Sequence, residues 1–280
     1  HKSAQAELFI NPDKITDELR AHLGNHVSIS PEDKLESRIK SLGGQIVLVD
    51  PSQSSSYFFD SLKNAGAHIM RAMDPIALPK ATKNKAEIDG SAAAHVRDGA
   101  VVSRFLHWLD TAAQSGHEDE ISAAQKLESF RHETGKLKDL SFESISGAGP
   151  NGAIVHYHPE PGKSAILKRE GIFLLDSGGQ YLDGTTDITR TVFLGTPTFE
   201  QKRDYTLVLK GHIALGRVRF PAGTKGYQLD TLARMFLWEQ GLDYGHGTGH
   251  GVGVYLSVHE GPQRISRAST LPLEPGMILS

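Results

Sequence analysis

The sequence predicts a mixed chain in two parts: a small α/β domain over residues 1–77 and a larger α+β domain over 78–280. Three observations carry that division. Up to residue 77, short apolar runs alternate with amphipathic stretches, as strands and helices do in a layered parallel sheet. Asp74-Pro75-Ile76-Ala77-Leu78-Pro79 then puts two prolines in six residues, which breaks either period. Beyond it come long helical stretches, a pair of strand-like runs and two more helices.

Taken in order, Ala6–Ile10 reads as a strand and Asp13–Leu23 as a helix. Val27-Ser28-Ile29 is a short strand. Pro31–Leu42 is a helix, with Pro31 suited to the first helical position, where a missing N–H costs nothing. Gln45–Asp50 has the apolar content of a buried strand, Ser54–Ala65 of a helix and Ala67–Met70 of another strand. No Gly-rich phosphate loop accompanies them, so this part reads as a support or interface domain. Lys85–Gln114 predicts a long helix with Ile88, Ala92, Val96, Val101, Phe105 and Leu109 near one stripe. Glu118–His132 predicts a second helix, carrying Ile121, Ala124 and Leu127. Ser141–His158 alternates like strand around a Gly-Pro-Asn-Gly turn, with His156 at the end of an apolar run. Gly147–Gly152 matches a dinucleotide fingerprint in letters only, because Ala153–Tyr157 beyond it is strand-like and opens no helix. Helices return at Phe199–Val218 and Gly226–Gln240, a hint of internal duplication that the letters do not support further.

Composition excludes several classes. The chain has 280 residues, 38% of them hydrophobic and 22% charged, which describes a globular protein. A formal net charge of −3 gives no electrostatic case for nucleic acid or for an anionic membrane. With no cysteine, disulfides, thiolate nucleophiles and Cys-based zinc sites are excluded. No apolar run approaches the roughly 20 residues of a membrane span, and the first residues lack a signal-peptide pattern. The expectation is cytoplasmic.

The chemistry is concentrated in Leu174–Thr191 and in the glycine-rich run beyond it. Gly171–Leu175 reads as a buried strand ending on Asp176, and Asp187–Phe193 as a returning strand. Such a hairpin would bring Asp176 and Asp187 side by side. Two carboxylates in an apolar setting repel unless something positive sits between them, and a metal ion answers that need as well as turn capping answers the alternative. Asp183 lacks the second aspartate a phosphatase-type loop would need, since Tyr181 stands there. Residues 245–253 hold five glycines in nine positions around His246 and His250, followed by His259. Backbone so open can approach a bound group closely, and neutral imidazole suits Mn, Co, Fe and Zn alike. Hydrogen-bonded loop histidines are the competing reading.

The strings Asp-Ser-Gly-Gly-Gln-Tyr, Asp-Gly-Thr-Thr-Asp-Ile-Thr-Arg-Thr, Val-Leu-Lys-Gly-His-Ile-Ala, His-Gly-Thr-Gly-His-Gly-Val-Gly and Val-His-Glu-Gly-Pro together resemble the aminopeptidase P (Xaa-Pro aminopeptidase) group of pita-bread metallopeptidases. The resemblance covers residues 78–280, with part of a preceding non-catalytic α/β domain at 1–77. It implies a pita-bread fold and two divalent metal ions, Mn in the first place and Zn or Co as alternatives. Five ligands are implied: two Asp, one His and two Glu. Asp176, Asp187 and His250 match three of them; the two Glu positions fall beyond Ser280, and neither Glu260 nor Glu274 matches them. His156 matches a histidine that assists proton transfer or holds the oxyanion, and His259 one that contacts substrate. His246 is expected to line the same pocket only as the opener of its motif. The implied substrates are peptides with proline in second position, and the implied full-length assembly is a homodimer. Two alternatives stand beside this: a proline dipeptidase on the same fold, and a non-catalytic pita-bread domain that binds peptides or proteins.

Overall fold

Residues 6–112 and 115–280 are described in the computed structural model, so the Gln114 end of the long predicted helix lies outside the described residues. The chain divides into two units, His1–Ala77 and Leu78–Ser280.

The first unit contains β1 (Ala6–Phe9), α1 (Asp17–Leu23), β2 (Val27–Ser30), α2 (Leu35–Lys40), β3 (Ile46–Val49), α3 (Ser56–Asn64) and β4 (His68–Arg71). The strands pair in parallel, as their alternation with helices requires, but as two separate pairs, β1 with β2 and β3 with β4. Ile39, Val49 and Leu62 form the core between α2, α3 and β3. The helix read over Asp13–Leu23 is broken. A 3₁₀ turn at Pro12–Lys14 stops at Ile15, and Thr16 caps a fresh helix by accepting from Leu19 N at 3.1 Å. Pro31 is extended (ψ 148°) and stands ahead of a 3₁₀ turn at Glu32–Lys34, so it precedes the helical segment without entering it.

The second unit opens from α4 (Ala77–Ala81) and continues through α5 (Lys85–Ala112), α6 (Glu120–His132), β5 (Asp139–Leu140), β6 (Ile145–Ala148), β7 (Gly171–Ser177), β8 (Gly179–Tyr181), β9 (Gly184–Thr185), β10 (Ile188–Leu194), α7 (Phe199–Arg217), α8 (Gly226–Trp238), β11 (Gly249–His250) and β12 (Arg264–Ile265). β7 is the middle strand of an antiparallel sheet with β6 and β10, and β8 sits between β5 and β9 in a second one. Phe173 and Leu175 on β7 pack against Val101, Val102, Phe105 and Leu109 of α5 and Leu127 and Phe130 of α6. Each such fully buried side chain contributes about 1.5–3 kcal/mol. Among the described residues, no helix is long and apolar enough to cross a membrane.

The structure also corrects expectations in the second unit. On α5 the buried face runs through Ser91, Ala94, Asp98, Val101, Val102, Phe105 and Leu109, while Ile88 and Val96 are exposed. Asp98 occupies a core position that a hydrophobic stripe cannot reveal. The run Ala153–Tyr157 is not strand. Gly149–Ala153 forms a 3₁₀ turn, and His156 comes after it in the left-handed region at φ 57°.

Asp98 and Arg131 are each fully buried and meet in a two-pronged ion pair, Nε to Oδ1 at 2.8 Å and Nη2 to Oδ2 at 2.9 Å. Burial alone would raise the Asp98 pKa, but Arg131, Thr186 and Tyr181 together hold it below the usual carboxylate range. The sign comes from linkage: the stabilisation is fully present above the unfolded value of about 3.9 and is lost as pH falls through the lower folded value. The stability gap between wild type and Asp98→Asn, read as the urea midpoint against pH, is therefore expected to narrow below about pH 4. A gap constant from pH 7 to pH 3 would count against this assignment.

Candidate metal centre

Period-2 geometry decides where the two aspartates point. On β7, Phe173, Leu175 and Ser177 face the helices and are buried, which turns Asp176 to the opposite face. Asp176 pairs with Thr189 across β10, so Asp187, two residues before Thr189, shares that face one diagonal step away. Thr189 Oγ1 donates to Asp176 Oδ1 at 2.8 Å. The connection between them is not a plain hairpin, because β8 and β9 leave as a small hairpin of their own in the second sheet. Gly178 makes that crossing possible: a Cβ there would collide with the Thr186 carbonyl and the Ser141 hydroxyl.

His250 arrives from the glycine-rich run. β11 pairs with β12 on one side, and on the other His250 exchanges backbone hydrogen bonds with Ser280, both 2.9 Å. Its Nε2 lies 3.1 Å from Asp187 Oδ2, and its Nδ1 faces the Gly251 carbonyl at 2.9 Å. The His259 ring stands perpendicular to it with centroids 4.2 Å apart, and His156 lies 6.5 Å from His259. Asp176, Asp187, His250, His259 and His156 therefore converge from distant stretches of chain. His246 is exposed and packs its ring on Tyr244, 4.8 Å away, apart from the other histidines. Glu260 turns away into an ion pair with Lys83 and Lys80.

The electrostatics fit a cation. Burial pushes the Asp176 carboxyl up, with the Asp187 charge adding to it. Burial acts on Asp187 in the same direction, yet hydrogen bonds with His250 and Ser280 hold it low. Burial opposes charge on His250, but Asp187 and the Gly251 carbonyl keep its pKa raised. His259 is lowered by burial and by the neighbouring His250. With Nδ1 donating to Gly251, His250 turns its other nitrogen at a carboxylate oxygen, and two lone pairs at 3.1 Å attract only through a proton or a cation. Two carboxylates and one imidazole are a donor set that suits Mn, Co, Fe or Zn. Among the described residues, no three such side chains are already spaced as a finished coordination shell. Asp187 Oδ2 and His250 Nε2, 3.1 Å apart, already stand about as far apart as two neighbouring ligand atoms of one ion, so an ion could take the place of the proton between them.

Residues 90–280 match the model of Metallopeptidase family M24, and residues 1–87 that of the Creatinase/Prolidase N-terminal domain. This chain belongs to metallopeptidase family M24. Its fold is accordingly the pita-bread fold. X-prolyl aminopeptidase from Caenorhabditis elegans, a cytosolic enzyme with a di-nuclear active site, superposes with a TM-score of 0.88 at 38% identity, over 98% of this chain and 46% of its own. Xaa-Pro dipeptidase from Bacillus anthracis superposes at 0.74 and 25% identity, over 92% of this chain and 72% of its own. The probable Xaa-Pro aminopeptidase P of Aspergillus clavatus is 44% identical over 288 residues, which is 98% of this chain and 44% of that protein. The chain thus spans less than half the length of such curated relatives.

Three supports around this candidate centre carry no signal in the sequence. Arg234 of α8, almost fully buried, binds Asp230 and Asp243 and also donates to the carbonyls of Tyr244 and His246 at 2.6 and 2.7 Å. It fixes the run that leads to His250. Tyr255, Leu256 and Ser257 are all left-handed (φ 56°, 64° and 53°), at a cost of roughly 1–2 kcal/mol each. Gln180 and Thr185 hold this turn through the Leu256 N–H and carbonyl, shortly before His259 in the chain.

The third support is Glu120, fully buried, whose carboxylate accepts from Ala148 N, Asn151 Nδ2, Tyr157 Oη and Ala165 N at 2.7–2.9 Å. Burial and this carboxylate push the Tyr157 phenol up to about 12. Glu120 thereby ties down both ends of the segment carrying His156. Glu120→Gln turns an amide NH₂ toward two of those donors and is expected to cost about 1–3 kcal/mol. Amide hydrogen exchange across 148–165 should quicken in that variant; unchanged protection there would contradict the anchoring role.

Proposed function

We propose that this chain is the part of an Xaa-Pro aminopeptidase that carries Asp176, Asp187 and His250 as metal ligands and His156 and His259 as substrate-facing histidines. The observation that carries the reading is the convergence of two diagonal carboxylates with His250, His259 and His156 on one side of a sheet. Two divalent ions, manganese by preference, are the cofactors proposed for the whole protein. Bound there, they would polarise a peptide carbonyl and lower the pKa of a coordinated water toward neutrality.

The chain's own residues do the rest. Asp176 is aimed by Thr189, and His250 by its Nδ1 bond to the Gly251 carbonyl, which leaves Nε2 for the site. His259, lowered in pKa, is a neutral imidazole near pH 7 and can hold an N–H toward negative charge developing on the carbonyl oxygen. His156, left-handed and on the anchored segment, is set to deliver a proton to the leaving nitrogen. That nitrogen belongs to proline and has no N–H, so the substrate is recognised there by shape. His246, packed on Tyr244, is read as rim and not as a chemical group.

Aminopeptidase is favoured over proline dipeptidase because the nematode X-prolyl aminopeptidase and the Aspergillus clavatus relative are 38% and 44% identical, and the Bacillus anthracis dipeptidase 25%. Cytoplasmic location and a homodimer are part of the same proposal, the first supported by the cytosolic nematode relative. Full-length protein with added Mn is expected to release arginine from Arg-Pro-Pro and to leave Gly-Pro intact. Cleavage of the dipeptide alone would transfer the protein to the dipeptidases. Failure to take up any metal would favour a non-catalytic binding domain.

A further inference from the structure

We propose that the buried Asp98–Arg131 pair is a positioning device for the metal site, setting the spacing between Asp176 and Asp187. This rests on the reading of those two aspartates as ligands. The pair reaches both through their immediate neighbours. Arg131 Nη2 donates to Ser177 Oγ at 3.1 Å, and Ser177 is the residue after Asp176; Thr186 Oγ1 donates to Asp98 Oδ2 at 2.6 Å, and Thr186 precedes Asp187. Since neighbouring side chains on a strand point to opposite faces, gripping Ser177 from the helix side fixes how far Asp176 projects on the other. Thr186 Oγ1 also accepts from Gly179 N at 2.9 Å, and Tyr181 Oη donates to Asp98 Oδ1 at 3.0 Å, so the same carboxylate holds the crossing between the two aspartates.

Stability alone is a weak reason for this cluster. A fully buried ion pair generally gains little over apolar side chains of equal volume, and Arg131 Nη1 is left buried with no hydrogen-bond partner among the described residues. What the pair supplies, and apolar packing cannot, is direction: Asp98 accepts four hydrogen bonds, two from one helix and two from the segment that joins the aspartates.

The test is manganese affinity, read from the free Mn(II) EPR signal during titration of full-length protein, beside thermal melting. Thr186→Val keeps volume and removes the hydroxyl. It is expected to fold and to weaken Mn binding about tenfold or more, the scale typical of residues that orient ligands. Thr186→Ser, which keeps the hydroxyl, should restore wild-type affinity. Ser177→Ala, which cuts the other link, should weaken binding in the same sense and serves if Thr186→Val does not fold. Glu120→Gln, an equally buried perturbation on the His156 side, should lower the melting temperature and leave Mn affinity within about twofold. Wild-type affinity in both Thr186→Val and Ser177→Ala would overturn the positioning role. Wild-type protein that binds no Mn would instead overturn the ligand assignment, and this proposal with it.

Discussion

Asp187→Asn is expected to lower manganese affinity by at least about a hundredfold and to remove Arg-Pro-Pro cleavage by the full-length protein. The loss is electrostatic before it is geometric. Asp187 is the group that His250 Nε2 meets at 3.1 Å and that Ser280 also holds, so it is the hub between hairpin and glycine-rich run. An amide of nearly the same shape removes one of two negative charges that a cation would neutralise and offers one oxygen where there were two. Residues that only orient ligands are worth about 10–100-fold in metal affinity, and a direct ligand is worth more. The fold should survive, because Asp187 is outside the apolar core and relief of its repulsion with Asp176 offsets the lost contact with His250. Mn titration and arginine release read the two effects; a variant binding Mn as wild type does would remove Asp187 from the ligand set.

Arg234→Met carries the largest expected loss of stability. Arg234 is 1% exposed and meets two carboxylates and two backbone carbonyls, with its guanidinium over the Tyr244 ring at 3.8 Å. Methionine fills much of the space but leaves Asp230 buried without its cation, a loss of about 3–5 kcal/mol. Arg234 also holds Asp243 down at a pKa of about 2, so in the variant that carboxyl should titrate nearer the ordinary Asp value. For a protein of this size the melting temperature should fall by roughly 10 °C. Disorder should centre on 243–250, because the carbonyls of Tyr244 and His246 lose their donor. A melting temperature within about two degrees of wild type would contradict this assignment.

What can be read from the letters and what cannot separates along physical lines. β7 and β10 are legible because an apolar run and an alternating run have periods that survive any context, and the spacing of Asp176 and Asp187 comes with them. The histidines are legible as motif members, and His250 and His259 do meet. Alternation puts His156 at the end of a strand, and it lies instead in a left-handed turn after Gly149–Ala153. Alternating letters cannot show that Glu120, far back in sequence, draws Ala148, Asn151, Tyr157 and Ala165 around itself. Asp98, Glu120, Arg131 and Arg234 share that character. Each is a charged residue buried among polar partners, remote in the chain for the first three and 4 to 12 residues away for Arg234, and hydrophobic periodicity scores each as an exposed position. His246 shows the converse limit: its motif draws it toward the site, while the structure packs it on Tyr244 because Arg234 holds its carbonyl.

The central claim is that Asp176, Asp187 and His250 Nε2 close on a divalent ion, and crystals of full-length protein grown with manganese test it most directly through the Mn anomalous signal. The expected result is a peak bounded by those three side chains, at the roughly 2.0–2.2 Å distances of imidazole and carboxylate ligands. Anomalous density only elsewhere, in a fully active enzyme, would contradict it.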